Sequence, residues 1–183
     1  MKKLAFIIVL AAMFSACEEG STRYTQSSPE IDSFKAVIAA YETGDWEAYT
    51  AKYADTAKIY HNTEAKAMSP KETADQHKTN LAGLSSYGFE DDKGDIEMVV
   101  TDEGETWVNF WGSWKATIAS TGKEVTLPVH VTVQFVDGMV VKEYGYWDNL
   151  PMQTAMAEAA SEDASEEGAA EQPAEEGAEE SEN

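Results

Sequence analysis

The stretch that decides the fold is "PVHVTVQFVDGMVVKEYGYWDN", Pro128 to Asn149. Two runs rich in valine and aromatic residues flank Asp137-Gly138, a pair suited to a two-residue turn whose central residues both take positive φ. The expected product is an antiparallel hairpin in which Val136 pairs with Met139. Carried down the strands without a break, this register sets His130 opposite Gly145, Thr132 opposite Glu143, Gln134 opposite Val141 and Pro128 opposite Trp147. Side chains alternate along a strand, so these residues share one mixed, polar face. Val125, Leu127, Val129, Val131, Val133 and Phe135 share the other with Val140, Tyr144 and Tyr146. The mixed face suits a pocket floor and the apolar face a core or dimer interface. The reverse, with solvent on the mixed face, is the alternative that the pattern leaves open.

Upstream of the hairpin, Ile96–Thr101 and Glu105–Ala119 are rich in Val, Thr, Trp and Phe, and Gly104 and Thr121-Gly122 punctuate them as turns. Further back the period changes to helical. Ser28-Pro29-Glu30 supplies an N-cap, a proline at the first helical position and an acid in the first turn. Ile31, Phe34, Val37, Ile38 and Tyr41 then recur on one face, and Gly44 ends that helix. Asp45 caps a short second helix with Trp46, Tyr49 and Tyr53, and Ala57–His61 reads as a brief strand. Ser69-Pro70-Lys71-Glu72 is a capping box that opens a third helix running to about Leu84. Helices first and sheet afterwards, without alternating βαβ units, gives an α+β class: three N-terminal helices on a mainly antiparallel sheet.

The two ends differ in kind from this middle. Residues 1–16 have a basic start (Lys2, Lys3) and an apolar run too short to span a membrane, as in a secretory signal. Cys17 is the single cysteine in the chain. Placed after Ser15-Ala16, it resembles the lipidated cysteine of a bacterial lipobox, with Phe14 where leucine is usual. The resemblance implies a lipoprotein of the bacterial cell envelope, anchored through acyl chains at the outer membrane on its periplasmic or surface face. Residues 17–27 then form a tether and residues 28–152 the folded domain. Residues 153–183 read as a disordered acidic tail, with eleven acids between Glu158 and Glu182 and no Lys or Arg. A net charge of −21 argues against a nucleic-acid partner.

Within the domain, "YETGDWEAYTAKYADTAKIY" (Tyr41–Tyr60) and "HVTVQFVDGMVVKEYGYWD" (His130–Asp148) resemble the nuclear transport factor 2-like superfamily, closest to its SnoaL-like and ketosteroid isomerase-like domains. The first stretch has the Gly-Asp start of helix two and the Tyr-Ala-Asp lead into the first strand; the second resembles the closing hairpin. The resemblance implies a strongly curved sheet wrapped around the helices as a cone with an apolar pocket, often paired as a homodimer. SnoaL-like cyclases use a histidine and an aspartate on these strands. His130 matches the histidine, whereas the aspartate position falls on Gly145, leaving Glu143 as the candidate carboxylate partner.

No phosphate loop, nucleophile elbow or zinc motif is present, and separations of 16 and 53 residues between His61, His77 and His130 fit no metal-ligand pattern. No cofactor and no metal are expected. The candidate catalytic pair is His130 with Glu143. Candidate pocket-lining residues are His61, at the end of the first strand, His77, in step with Ala74 and Leu81, and Trp107, Asn109, Trp111, Thr132, Gln134 and Trp147. Aromatics with a few polar groups typify pockets for apolar or planar ligands. The leading expectation is therefore a non-catalytic domain that binds a small apolar or aromatic molecule or mediates protein contacts. The alternative is an acid-base enzyme of isomerase, cyclase or dehydratase type.

Overall fold

The computed structural model describes residues 23–90 and 94–170, and for 162–170 the backbone alone. Cys17 and the segment expected to be a leader, together with residues 171–183, lie outside the described residues.

Three helices lie in the N-terminal half of the described residues: α1 (Pro29–Thr43), α2 (Trp46–Thr50) and α3 (Pro70–Leu81). Each start follows the local chemistry. Ser28 accepts from Ile31 N, Asp45 from Ala48 N, and Ser69 and Glu72 close a reciprocal capping box. Gly44 ends α1 at φ 68°, a left-handed conformation that glycine takes without a Cβ penalty. Among the described residues the strands, in chain order, are β1 (Tyr24–Thr25), before α1, β2 (Tyr53–His61), between α2 and α3, and then β3 (Leu84–Phe89), β4 (Asp95–Val100), β5 (Thr106–Ile118), β6 (Glu124–Val136) and β7 (Met139–Trp147). They form one curved sheet in the order β1-β4-β5-β6-β7-β2, with β3 also on β5. All pairings are antiparallel except β2 with β7. The class is α+β, as expected. Two strands were not anticipated: β3, and β1, which sits within the expected tether and hydrogen-bonds to the edge of β4.

The core lies between the helices and the concave face of the sheet. Ile31, Phe34 and Val37 of α1 pack on Val108, Phe110, Val133, Phe135 and Val140. Each such side chain contributes about 1.5–3 kcal/mol of transfer free energy. A second cluster joins Leu81, Trp114, Ile118, Val125 and Leu127 to Ala155 and Ala159. Those two alanines belong to a fourth helix, α4 (Leu150–Ala170). Disorder from residue 153 onward is thus not what the described residues show. Met152, Ala155, Met156 and Ala159 recur at helical spacing and give this Ala-rich segment one apolar stripe. Ala155 and Ala159 are small enough to let the stripe lie flat on the sheet. Lys123 also pairs with Glu158.

The closing hairpin holds the largest departure from the sequence-based register. Asp137 and Gly138 take φ 51° and 78°, and Val136 faces Met139 as expected. One step on, Phe135 faces Val140 but Gln134 faces Lys142. Val141 is an extra residue, a β-bulge, and every later pair moves by one. Glu143 now faces Val133, Gly145 faces Val131 and Trp147 faces Val129, while Tyr144 and Tyr146 face Thr132 and His130. A one-residue slip moves a whole strand segment to the other side of the sheet.

Candidate functional site

The bulge turns Glu143, Gly145 and Trp147 toward the helices, and the apolar row of β6 goes with them. That face lines a cavity of about 510 Å³ bounded by α1, α3, the sheet and α4. The expected mixed pocket floor is therefore the convex face. His130 and Glu143 project from opposite sides of the sheet and are not a pair. His130 donates from Nδ1 to the Phe110 carbonyl at 3.2 Å and stacks between Trp111 and Tyr146. Thr132 donates to Asn109 at 2.7 Å, and Asn109 to Glu97 at 3.3 Å. Trp107 stacks on Tyr144 and donates to Glu105. Gln134 shares that outer face. Of the expected lining residues, His61, His77 and Trp147 border the cavity; Trp107, Asn109, Trp111, Thr132 and Gln134 do not.

Glu143 is the centre of what the cavity does contain. The residue is 4 % exposed. Tyr53 donates to Oε2 at 2.5 Å, and His61 Nε2 lies 3.0 Å from Oε1. A carboxylate oxygen only accepts, so Nε2 carries the proton and Nδ1 is the imidazole's other nitrogen. The Tyr49 and Tyr53 hydroxyls are 3.3 Å apart. Since Tyr53's single proton is directed at Glu143, the proton between the two phenols is Tyr49's. Burial alone would raise the Glu143 pKa, but the hydrogen bonds and charge from His61, helped by Tyr53, outweigh it and hold the carboxyl below its ordinary value. The same burial, with Glu143 nearby, pushes both phenols well above their usual range.

Position in the fold explains the cluster. β2 docks parallel to β7 with Ile59 beside Glu143 and His61 beside Gly145, so His61 arrives at the carboxylate from 82 residues away. Tyr49 and Tyr53 come from the end of α2 and the start of β2. His77 of α3 covers the group, with its ring stacked on Trp46 and 5.6 Å from that of His61. Among the described residues its nitrogens have no hydrogen-bond partner. Burial, and then the neighbouring His61, lower its pKa to about 4, so His77 is neutral at pH 7.

Gly145 makes the arrangement possible. A Cβ there would lie 2.8 Å from Trp147 Cζ3 and 3.0 Å from His61 Cδ2. His61 thus fills the slot where a side chain at 145 would sit, and the carboxylate stands two residues earlier on the strand. Gly145→Ala is expected to push His61 off Glu143 and to destabilise the domain by about 1–3 kcal/mol, the usual cost of overpacking. A moved His61 imidazole resonance with a lowered urea midpoint is the expected result; an unmoved resonance would show that the slot has slack.

Residues 34–143 match the model of the SnoaL-like domain, more than half of the chain. The chain belongs to the SnoaL-like domain family. No curated protein matches it in sequence. Among solved structures, this SnoaL-like domain resembles a protein assigned as a SnoaL-like polyketide cyclase from Shewanella denitrificans, at 14 % identity and TM-score 0.56 over 72 % of this chain and 99 % of that one. A protein assigned as a polyketide cyclase from Xanthomonas campestris gives 17 % and 0.55 over 74 % and 99 %. AclR from Streptomyces galilaeus, assigned as a hydroxylase, gives 15 % and 0.57 over 70 % and 96 %. At these identities the similarity establishes the nuclear transport factor 2-like cone and leaves the chemistry to the residues of this chain.

Proposed function

We propose that this SnoaL-like domain binds a small, mainly apolar molecule in its cavity, with one polar group of the ligand against Glu143, His61 and Tyr53. The observation that carries the reading is a charged carboxylate buried at the wall of an apolar cavity. Taking a carboxylate out of water costs several kcal/mol, and an apolar residue would serve a core at least as well. Buried polar groups converging on an apolar cavity of this size are the usual form of a ligand site. Trp114 and Trp147 border the cavity and report on its contents. Native mass spectrometry of the protein purified from its own host is expected to show a co-purified small molecule. Extracting that molecule should change the tryptophan emission, and adding it back should restore it. A protein with no bound mass, whose emission no apolar molecule alters, would sink the reading.

One observation favours a second reading, acid-base catalysis. His61, oriented by Glu143, offers Nδ1 as a base, while the neutral, unpartnered His77 beside it can donate a hydrogen bond. A base and a neutral donor side by side suit proton removal next to a carbonyl. Solvent-deuterium incorporation into an enolisable ketone, abolished by His61→Asn, distinguishes this from binding alone.

A further inference from the structure

The cavity also carries information about the charge of what it holds. Among the described residues, Glu143 is the one acidic side chain lining it, and no lysine or arginine borders it. The remaining wall is aliphatic and aromatic, with Tyr41, Tyr49, Phe89, Phe110, Trp114 and Trp147 among the rings. Aromatic faces present negative potential and favour a nearby cation. His77 is neutral at pH 7, so it offers an anion no charge. Apart from His61, which pairs with Glu143, the described lining offers no positive side chain. The protein as a whole acts in the same direction, because a net charge of −21 raises the local concentration of cations and repels anions.

We propose that the cavity takes an amine, bound as its ammonium ion with the charged nitrogen toward Glu143 and the apolar part along the aromatic wall. This rests on the ligand-binding reading above and specifies its chemical class. A neutral ligand leaves His61, among the described residues, as the one group that faces the carboxylate with a positive charge to offer. A carboxylate or phosphate ligand would add a second negative charge to a mainly apolar cavity. An ammonium group supplies the opposite charge and keeps Tyr53 and His61 as hydrogen-bond donors to Glu143, since two donors leave part of a carboxylate's accepting capacity free. Strongly hydrated inorganic cations lack the apolar surface that the rest of the wall would bury.

Three soluble molecules of equal ring size test the idea on the full chain at pH 7: cyclohexylamine, cyclohexanol and cyclohexanecarboxylate, followed by tryptophan fluorescence and calorimetry. Cyclohexylammonium is expected to bind about tenfold more tightly than cyclohexanol, with the carboxylate weakest. Glu143→Gln should remove the preference for the amine over cyclohexanol, whatever it costs in overall affinity, because the change deletes the charge. If that variant fails to fold, the order of affinities in the unaltered protein still decides. Cyclohexanol binding as tightly as the amine, or more so, overturns the ammonium assignment and leaves the ligand-binding reading standing. Failure of all three to bind at millimolar concentration overturns both.

Discussion

Glu143→Ala is expected to destabilise the domain by about 3–5 kcal/mol, the range for breaking a buried charged pair by removing one partner. The loss has two parts. The Tyr53 hydroxyl and His61 Nε2 would keep their places in a buried site and lose their acceptor. The space left by the side chain would add a cavity penalty next to Val133, which is itself 0 % exposed. Glu143→Gln separates the terms: its one carbonyl oxygen can satisfy one donor, and its NH2 would confront the other. An intermediate loss of about 1–3 kcal/mol is expected there, the cost of one unsatisfied buried donor. Urea unfolding of the three proteins at pH 7 provides the comparison. A loss under about 1 kcal/mol for the alanine variant would mean that Glu143 is hydrated rather than buried among donors.

The second large effect is a fall in stability with acid, beginning well above the ordinary carboxylate range. His77 has its pKa lowered from 6.5 to about 4, chiefly by burial. Below pH 6.5 the unfolded chain therefore takes up a proton that the native state refuses until about pH 4. The unfolded state binds more protons across that window, so stability drops as pH falls through it, by about 3 kcal/mol in total. Glu143 acts in the same direction but lower. Its folded carboxyl lies below 4.5, so its contribution is present above that value and is lost as pH falls further. His77→Leu should flatten the pH 4–6.5 segment and leave the lower one. Urea midpoints at pH 7, 5.5 and 4.5 give the test, and equal midpoints in the unaltered protein would contradict the lowered pKa of His77.

Much of the candidate site was legible in part. Glu143, His61, His77 and Trp147 all stood among the residues singled out by sequence, yet the pairing assigned to Glu143 was wrong. A signal against the unbroken register was present. That register puts Lys142 opposite Val133, on the apolar face between Val140 and Tyr144. An ammonium group there is costly, and a bulge at Val141 removes it to the outer face beside Trp107. Tyr49 and Tyr53 were both read as residues of the short second helix, whereas Tyr53 opens β2; nothing in their spacing reveals that their hydroxyls serve a carboxylate on β7. The C-terminal helix was missed because its many acids suggested a solvated chain. The Ala and Met stripe at helical spacing was the contrary evidence.

Local chemistry, acting within a few residues, determined the helix starts at Ser28, Asp45 and Ser69, the stop at Gly44 and the turn at Asp137-Gly138. It also determined that β6 has one apolar and one mixed face, and hence the α+β class. Which of those faces looks into the cone was decided only by the tertiary structure. The period of a strand is two, so one extra residue reverses all that follows it, and burying valines against α1 while expelling Lys142 selects the bulged form. The meeting of His61 with Glu143 was likewise decided only by long-range docking. It depends on β2 lying parallel to β7 and on Gly145 leaving room for an imidazole, neither of which a local pattern records.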